Sequence, residues 1–390
     1  PGINHPKIFT LRNIPDMDAI TAEVDGNAKS AIVIGGGYIG VEMAEALRTR
    51  GLRVTLVDLM KDIIPPLDHE LDQALIYHME SYGVKMKLGH GVVVFEDVAG
   101  RIEATLDDGT ALVADIVLLA IGVRPDNKLV RDAELECGPL GGVKVDEHMR
   151  TSDPDIYAAG DAVEDIDMVT GQTTLVPMAG PANRQGRIIA DHICGRKSAY
   201  TTTQGTSVIK VFDMTAGGTG ATEGRLQQFD IPYRKVHIHP NGHASYYPGT
   251  APMHLKLLFG PDDGKILGAQ VVGFDGVDKR IDVLATAMRA GMTVYDLEHL
   301  ELAYAPPYGS AKDPVNMAGF VATNVLNGDL ELWYAEDYAK VLGKGQIIDV
   351  RPPSAHANWH IPGSINIPLA QLRDRVEEAD ALLNDGPLYL

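Results

Sequence analysis

The chain has 390 residues, 45% hydrophobic and 22% charged, an ordinary globular composition long enough for two to four domains of roughly 100–200 residues each. Its 34 basic and 53 acidic side chains leave a formal charge of −19, which argues against a nucleic-acid or anionic-membrane partner. No apolar run approaches the ~20 residues of a membrane span, and no basic segment with an apolar core opens the chain. The two cysteines, Cys137 and Cys194, give no disulfide framework and fit a reducing cytosol, so a cytoplasmic location is expected.

Pro1-Gly2-Ile3 and Phe9 to Arg12 read as a strand and connector, and Pro15 to Ala22 as a short helix. The next stretch organises the chain. Ala31 to Ile34 is a buried strand, followed by Gly35-Gly36-Gly37-Tyr38-Ile39-Gly40, a helix from Val41 to about Thr49, and a second strand from Arg53 to Val57 that ends at Asp58. Each glycine has a task in a dinucleotide site. Gly35 permits the tight turn, Gly37 lets backbone approach a pyrophosphate, and Gly40 allows close helix–strand packing. The pyrophosphate sits on the positive helix N-terminus, and Asp58, 18 residues beyond Gly40, accepts from ribose hydroxyls. Asp58 favours NADH over NADPH, while Lys61 nearby works against that preference.

Helical spacing of Leu71, Leu75, Ile76 and Met79 predicts a helix over 68–82, ended by Gly83. Strands follow at Val84–Leu88, Val92–Val98, Arg101–Leu106 and Ala111–Ala120, the last two joined by an Asp107-Asp108-Gly109 hairpin turn. The apolar run Ile116–Ala120 belongs in a sheet covered on both faces, and Gly122 at its exit lets a ligand approach. Short strands are predicted at Gly142–Asp146 and Ile156–Ala159, then Gly160-Asp161, and a helix from about Ala182 to Ile193.

The segment TSDPDIYAAGD, Thr151 to Asp161, resembles the flavin signature of the two-dinucleotide-fold flavoprotein disulfide reductases. The resemblance implies that Asp161 bonds the ribityl chain of FAD and that Gly160 lets the isoalloxazine lie close. Pro177, Met178 and Ala179 would pass its pyrimidine side, where a helix N-terminus stabilises negative charge. Arg184 is either a ligand contact or a structural arginine. The same resemblance gives Tyr38 a role gating the nicotinamide, or else a passive cover. Glu42 either bonds the nicotinamide amide or is a surface acid suited to a helix N-terminus.

Residues 201–328 read as an α+β domain, with strands at Ser207–Phe212, Tyr233–Ile238, Met253–Phe259 and Ile266–Val272 and helices at Val277–Ala290 and Asp313–Leu326. In the resembled family this is the dimerisation domain, which implies a homodimer. Ser245-Tyr246-Tyr247-Pro248-Gly249 and Tyr304-Ala305-Pro306-Pro307-Tyr308 resemble the coenzyme A-disulfide and persulfide reductase branch. There, tyrosines matching Tyr246 and Tyr304, with Tyr308 in reserve, approach a redox cysteine and a sulfur substrate. A phenol can bond a thiolate, or protonate a leaving thiol if its pKa is suitably lowered. Finally, Ile347-Ile348-Asp349-Val350-Arg351 and His360-Ile361-Pro362-Gly363-Ser364-Ile365-Asn366-Ile367-Pro368 resemble the opening half of a rhodanese domain, in which Asp349 and Arg351 are mainly structural.

The fold class expected is α/β: a two-dinucleotide-domain flavoprotein with its FAD domain incomplete, an α+β dimerisation domain and a partial rhodanese domain. The expected divisions are 1–28 (end of the first FAD segment and connector), 29–122 (NAD(P)H domain), 123–200 (second FAD segment), 201–328 (dimerisation) and 329–390 (linker and rhodanese half). The expected function is FAD-dependent reduction of a sulfur–sulfur bond by NADH or NADPH, with a coenzyme A-linked or small sulfur substrate and no metal, nucleic acid or membrane. An NADH oxidase or peroxidase, or a non-catalytic NADH-binding scaffold, is the alternative. By this resemblance the redox cysteine would precede Pro1 and the rhodanese cysteine would follow Leu390, so the sequence is expected to be a fragment that is inactive by itself; Cys137 and Cys194 sit in no redox context.

Overall fold

Strand β1 (Ile8–Thr10) leads into helix α1 (Ile14–Asp25), where the Asn13 side chain accepts from the Asp16 N–H and the Asp16 carboxylate accepts from the Asn13 N–H. This is a computed structural model, which describes residues 1–382 and 386–390. Strands β2 (Ser30–Ile34), β3 (Arg53–Asp58) and β4 (Lys85–Leu88) then alternate with helices α2 (Tyr38–Thr49) and α3 (His69–Ser81). A three-stranded antiparallel layer follows: β5 (Val92–Val98), β6 (Arg101–Leu106) and β7 (Ala111–Ala114). Strand β8 (Ile116–Leu119) returns to complete a parallel sheet in the order β1-β8-β2-β3-β4. Ala31, Ile32 and Val33 are at most 2% exposed, as a strand covered on both faces requires.

The expected single strand 111–120 is two strands in two sheets. Asp115 breaks it: its carboxylate accepts from the Lys29 and Ser30 backbone N–H groups, the Ser30 hydroxyl and Arg101 Nε, so the chain turns at that residue. Near the chain start, where a strand and connector are expected, β1 is the edge strand of the parallel sheet.

After β8 the chain forms the short helix α4 (Lys128–Asp132), the two-residue strands β9 (Asp165–Ile166) and β10 (Thr173–Thr174), and helix α5 (Ala179–Ile193). The strands expected at Gly142–Asp146 and Ile156–Ala159 are present only as isolated bridges, Val143 to Val163 and Arg150 to Tyr157. Scattered backbone bonds, such as Val143 N–H to Ala162 O and Ala158 N–H to Met149 O, hold these segments over a small core of Val143, Met149, Val163 and Ile188.

An antiparallel sheet, order β11-β12-β15-β14-β13, follows. Its strands are β11 (Ser207–Val211), β12 (Met214–Gly220), β13 (Arg234–Ile238), β14 (Met253–Phe259) and β15 (Ile266–Gly273), with α6 (Glu223–Gln228) inserted after β12. Helix α7 (Val277–Arg289) covers it, followed by α8 (Val294–Glu298) and α9 (Pro314–Asn327). Strand β12 has the sequence MTAGGTG, which carries no apolar alternation and gives no strand signal. A side chain at Gly217 would lie 3.0 Å from Ile281 of α7, so the glycines are what let the helix close on the sheet.

A buried ammonium ties the two layers together. Lys256 on β14 is 0% exposed, and its Nζ lies 2.7 Å from Asp68, the residue that precedes α3, and also bonds Glu70 and Glu223. Gln270 on β15 exchanges two bonds of 2.7 Å with Asp68, and Lys235 adds bonds to Glu223.

The chain divides into two compact units, 1–326 and 327–390. In the second, α10 (Tyr338–Val341) precedes β16 (Gln346–Asp349), α11 (Pro353–Asn358), β17 (Ile365–Asn366), α12 (Leu369–Leu372), α13 (Val376–Leu382) and β18 (Leu388–Tyr389). The strands form a parallel sheet in the order β17-β16-β18 around Ile348 and Ile367. Arg351 bonds both oxygens of Asp349, holding that carboxyl down at about 2, donates to Trp359 O at 2.7 Å, and lies over the Trp359 ring.

Burial pushes the Glu223 carboxyl up, but bonds from Lys256, Tyr233 and Lys235 outweigh it and hold it at about 2. A folded pKa below the unfolded 4.5 means that this stabilisation is complete above 4.5 and is lost as pH falls toward 2. Lys256→Met, which removes the ammonium shared by three carboxylates, is expected to cost about 3–5 kcal/mol in urea unfolding at neutral pH. It should also flatten the fall in stability across that acid window.

Candidate functional site

The glycine turn is built by close approaches at the carboxyl edge of β2. Gly35 has φ +112°, and a Cβ there would lie 2.2 Å from Ala120 O at the exit of β8. A Cβ on Gly40 would lie 1.8 Å from Gly35 O. Gly37 differs, because a Cβ there would meet nothing within 4 Å. Gly37 therefore faces open space at the start of α2, where no side chain caps the helix and the first N–H groups are available to a pyrophosphate. The Asp58 carboxylate is fixed at the end of β3: Oδ2 accepts from the Gly36 N–H at 2.5 Å and Oδ1 from the Met60 N–H at 2.7 Å. Each oxygen keeps a lone pair for a ribose hydroxyl. Ile39 is exposed on the first turn of α2; Glu42, expected on that turn, is exposed on the second because the helix begins at Tyr38 and not Val41, and Gly122 (φ +93°) is exposed beyond β8, beside β2.

Tyr38 spans to the antiparallel sheet. Its hydroxyl donates to Ser207 Oγ on β11 at 2.6 Å, and burial raises its pKa against the opposing effect of that bond. A gating swing of the ring would break this bond.

The flavin-type segment forms a second cluster. Gly160 (φ +80°) opens a single 3-10 turn, Gly160–Ala162, with Asp161 exposed and without a hydrogen-bond partner among the described residues. The Gly160 N–H donates to Gln185 Oε1 at 2.7 Å, and Gln185 Nε2 donates to Asp165 Oδ1 at 2.9 Å. Gln185 is 0% exposed, so this relay fixes the turn against α5 from inside the protein. Pro177, Met178 and Ala179 lead into α5, which has no side-chain cap and begins three residues before the expected Ala182. A free carboxylate beside an uncapped helix start fits the ribityl chain and pyrimidine edge of FAD. A cleft of about 670 Å³ opens from Met178 and Arg184 toward Thr286 and Arg289 of α7.

The two tyrosine motifs, 58 positions apart, converge: Tyr246 and Tyr304 hydroxyls lie 3.4 Å apart, long for a hydroxyl pair, on an exposed surface. The contact with Tyr246 raises the Tyr304 pKa, the opposite of the lowering that proton donation to a leaving thiol requires. Tyr308 shares the second loop but is 73% exposed and does not bond the pair. Cys137 lies in a turn bridged to Val143, and Cys194 ends α5. Ser207, Gln185 and Asp165 were not found by sequence reasoning; for Gln185 the one signal is a polar residue on the apolar face of a helix.

A parallel sheet with a dinucleotide turn, a flavin-type turn on a neighbouring helix and an α+β domain presenting paired phenols define a nucleotide-dependent oxidoreductase. Residues 1–186 match the model of the pyridine nucleotide-disulphide oxidoreductases, 206–314 that family's dimerisation domain, and 334–389 a rhodanese-like domain. The chain belongs to the pyridine nucleotide-disulphide oxidoreductase family. It is 35% identical over 326 residues to a coenzyme A disulfide reductase of Staphylococcus haemolyticus, covering 83% of this chain and 73% of that one. The structure of reduced CoADR-RHD of Bacillus anthracis is similar at 48% identity and TM-score 0.92, covering 95% of this chain and 67% of that one. A NAD-dependent persulfide reductase of A. fulgidus matches at 35% identity and TM-score 0.91, covering 97% and 69%. Among the described residues, no helix is long and apolar enough to cross a membrane.

Two predictions follow from the geometry. Gly37→Ala should leave the thermal midpoint unchanged while weakening NADH in fluorescence titration, whereas Gly40→Ala should lower the midpoint, because its Cβ has no room beside Gly35 O. Burial raises the Asp165 carboxyl to about 6 against the Gln185 bond and Arg184. A folded pKa above the unfolded 3.8 means that its contribution is complete below 3.8 and lost as pH rises through about 6. Asp165→Asn should remove that loss, read as a smaller drop in thermal midpoint across this window.

Proposed function

We propose that this chain carries the nucleotide, flavin-contact and dimer parts of an oxidoreductase that uses NADH to reduce a sulfur–sulfur bond in a coenzyme A disulfide, coenzyme A persulfide or polysulfide. The observation that carries this reading is the convergence of the Tyr246 and Tyr304 motifs in a chain with a dinucleotide turn at Gly35–Gly40. The net reaction is a disulfide plus NADH and one proton going to two thiols and NAD+; a persulfide gives a thiol and hydrogen sulfide.

In this reading Gly35, Gly37, Ile39 and Gly40 with the start of α2 hold the pyrophosphate, and Asp58 holds the adenosine ribose. A 2′-phosphate would meet the Asp58 carboxylate, which favours NADH. Tyr38, Glu42 and Gly122 face the nicotinamide end. Gly160, Asp161, Pro177, Met178 and Ala179 hold FAD, and the positive end of α5 stabilises charge on its ring. FAD, when bound, supplies the two-electron relay between nicotinamide and sulfur. Tyr304, whose pKa is raised, donates a hydrogen bond to a thiolate and does not protonate a leaving sulfur, with Tyr246 supporting it and Tyr308 as a further candidate. Residues 1–28 and 29–122, 123–200, 201–328 and 329–390 are the corresponding divisions. A cytoplasmic homodimer fits the dimerisation domain, and the rhodanese-like segment favours a persulfide substrate.

Calorimetric titration of the chain tests this. NADH should bind about tenfold or more tightly than NADPH, a difference of roughly 1.4 kcal/mol. Tyr304→Phe should weaken coenzyme A disulfide about fivefold, the scale of one hydrogen bond, and leave NADH unchanged. Equal binding of NADPH overturns the cofactor preference. NADH binding with no coenzyme A disulfide binding overturns the sulfur reading in favour of an NADH oxidase or a scaffold.

A further inference from the structure

The two tyrosine-bearing loops have little regular structure of their own. Residues 239–252 carry Tyr246 between β13 and β14, and residues 299–313 carry Tyr304 between α8 and α9. Two phenols on such loops hold a fixed separation only if something rigid fixes both.

That element is Arg280 on α7, which is 1% exposed. Its Nη2 donates to Gly242 O at 2.9 Å in the first loop and to Asp313 Oδ2 at 2.9 Å at the end of the second. Its Nε donates to Asp313 Oδ1 at 3.3 Å, and its Nη1 to Gly276 O at 3.1 Å just before α7. The second loop is locked further from the same corner. Asp313, 3% exposed, accepts from the Val315 N–H, and its own N–H donates to Asn316 Oδ1. The Asn316 amide in turn donates to Leu297 O and Leu300 O, fixing where the loop begins. The two loops then touch directly, the Ala244 N–H donating to Gly309 O at 2.9 Å.

We propose that Arg280, through its simultaneous bonds to Gly242 O and the Asp313 carboxylate, is the positioning residue that sets the separation of the Tyr246 and Tyr304 phenols. Only a guanidinium reaches these acceptors at once, since its donors are held in a planar fork, and a lysine ammonium cannot span them. Its role in substrate binding rests on the sulfur-substrate reading above; its role in setting the phenols does not.

The test uses the full chain labelled with 13Cζ-tyrosine. Tyr246 and Tyr304 signals are assigned by Tyr→Phe variants, and the Tyr304 signal is followed against pH. In the native background Tyr246→Phe should move the Tyr304 midpoint down, because the contact that raises it is lost. Arg280→Met leaves Asp313 buried without its partner and can fail to fold, so the deciding variant is the double Arg280→Met, Asp313→Leu, which exchanges a buried pair for apolar volume. In that double background, with the thermal midpoint restored, Tyr246→Phe should no longer move Tyr304. Arg280→Lys should recover stability without recovering the coupling. A downward shift that persists in the folded double variant, or that Arg280→Lys restores, overturns the proposal, since either outcome makes Arg280 a structural residue alone. Loss of coupling together with weakened coenzyme A disulfide binding and unchanged NADH binding supports it. Loss of coupling with coenzyme A disulfide binding unchanged keeps Arg280 as the positioning residue and overturns the substrate reading instead.

Discussion

The fold of the first unit turns on one buried cation. Lys256 has no solvent contact, so three carboxylates from two sequence-distant places must come to it, Asp68 and Glu70 at the start of α3 and Glu223 at the start of α6. An ammonium left alone in that interior would be far costlier than a mispacked leucine. The requirement fixes where the parallel sheet with its dinucleotide turn stands against the antiparallel sheet, and Gln270 repeats the constraint with neutral bonds.

Once that interface is set, the smaller contacts across it acquire meaning. Tyr38 begins the helix that follows the glycine turn, and its hydroxyl ends on Ser207 of the other sheet. A displacement of the sheets would be felt at the turn through this side chain. The same logic recurs in the flavin-type turn, where Gln185 joins Gly160 to Asp165, and in the tyrosine loops, where Arg280 joins Gly242 to Asp313. In each case an irregular segment carries the exposed chemistry, and a buried polar side chain from a neighbouring helix holds it still.

The elements legible in the sequence are those whose signal is local. The dinucleotide turn needs its glycines within six residues, so strand, turn, helix and acid could be placed before any contact was known. Strands β5, β6 and β14 fell on their expected residues for the same reason, alternation or an unbroken apolar run. The failures had non-local causes. Asp115 reads as an ordinary polar interruption and breaks a strand because Lys29, Ser30 and Arg101 meet it. Strand β12 carries no alternation that marks a strand, and it lies inside the sheet with Gly217 and Gly220 where α7 packs closely on it.

The sequence by itself determined the dinucleotide turn, the candidate acid Asp58, the flavin-type Gly160-Asp161 and the paired tyrosine motifs, because each is a short pattern whose chemistry depends on residue type and spacing. Only the tertiary structure decided that Tyr246 and Tyr304 meet, that Tyr308 stands apart, that the contact raises the Tyr304 pKa, and that Lys256, Gln185 and Arg280 fix the segments around them. These depend on which side chains lose water together, and burial of a charge or an amide is a property of the packed chain that no spacing along it records.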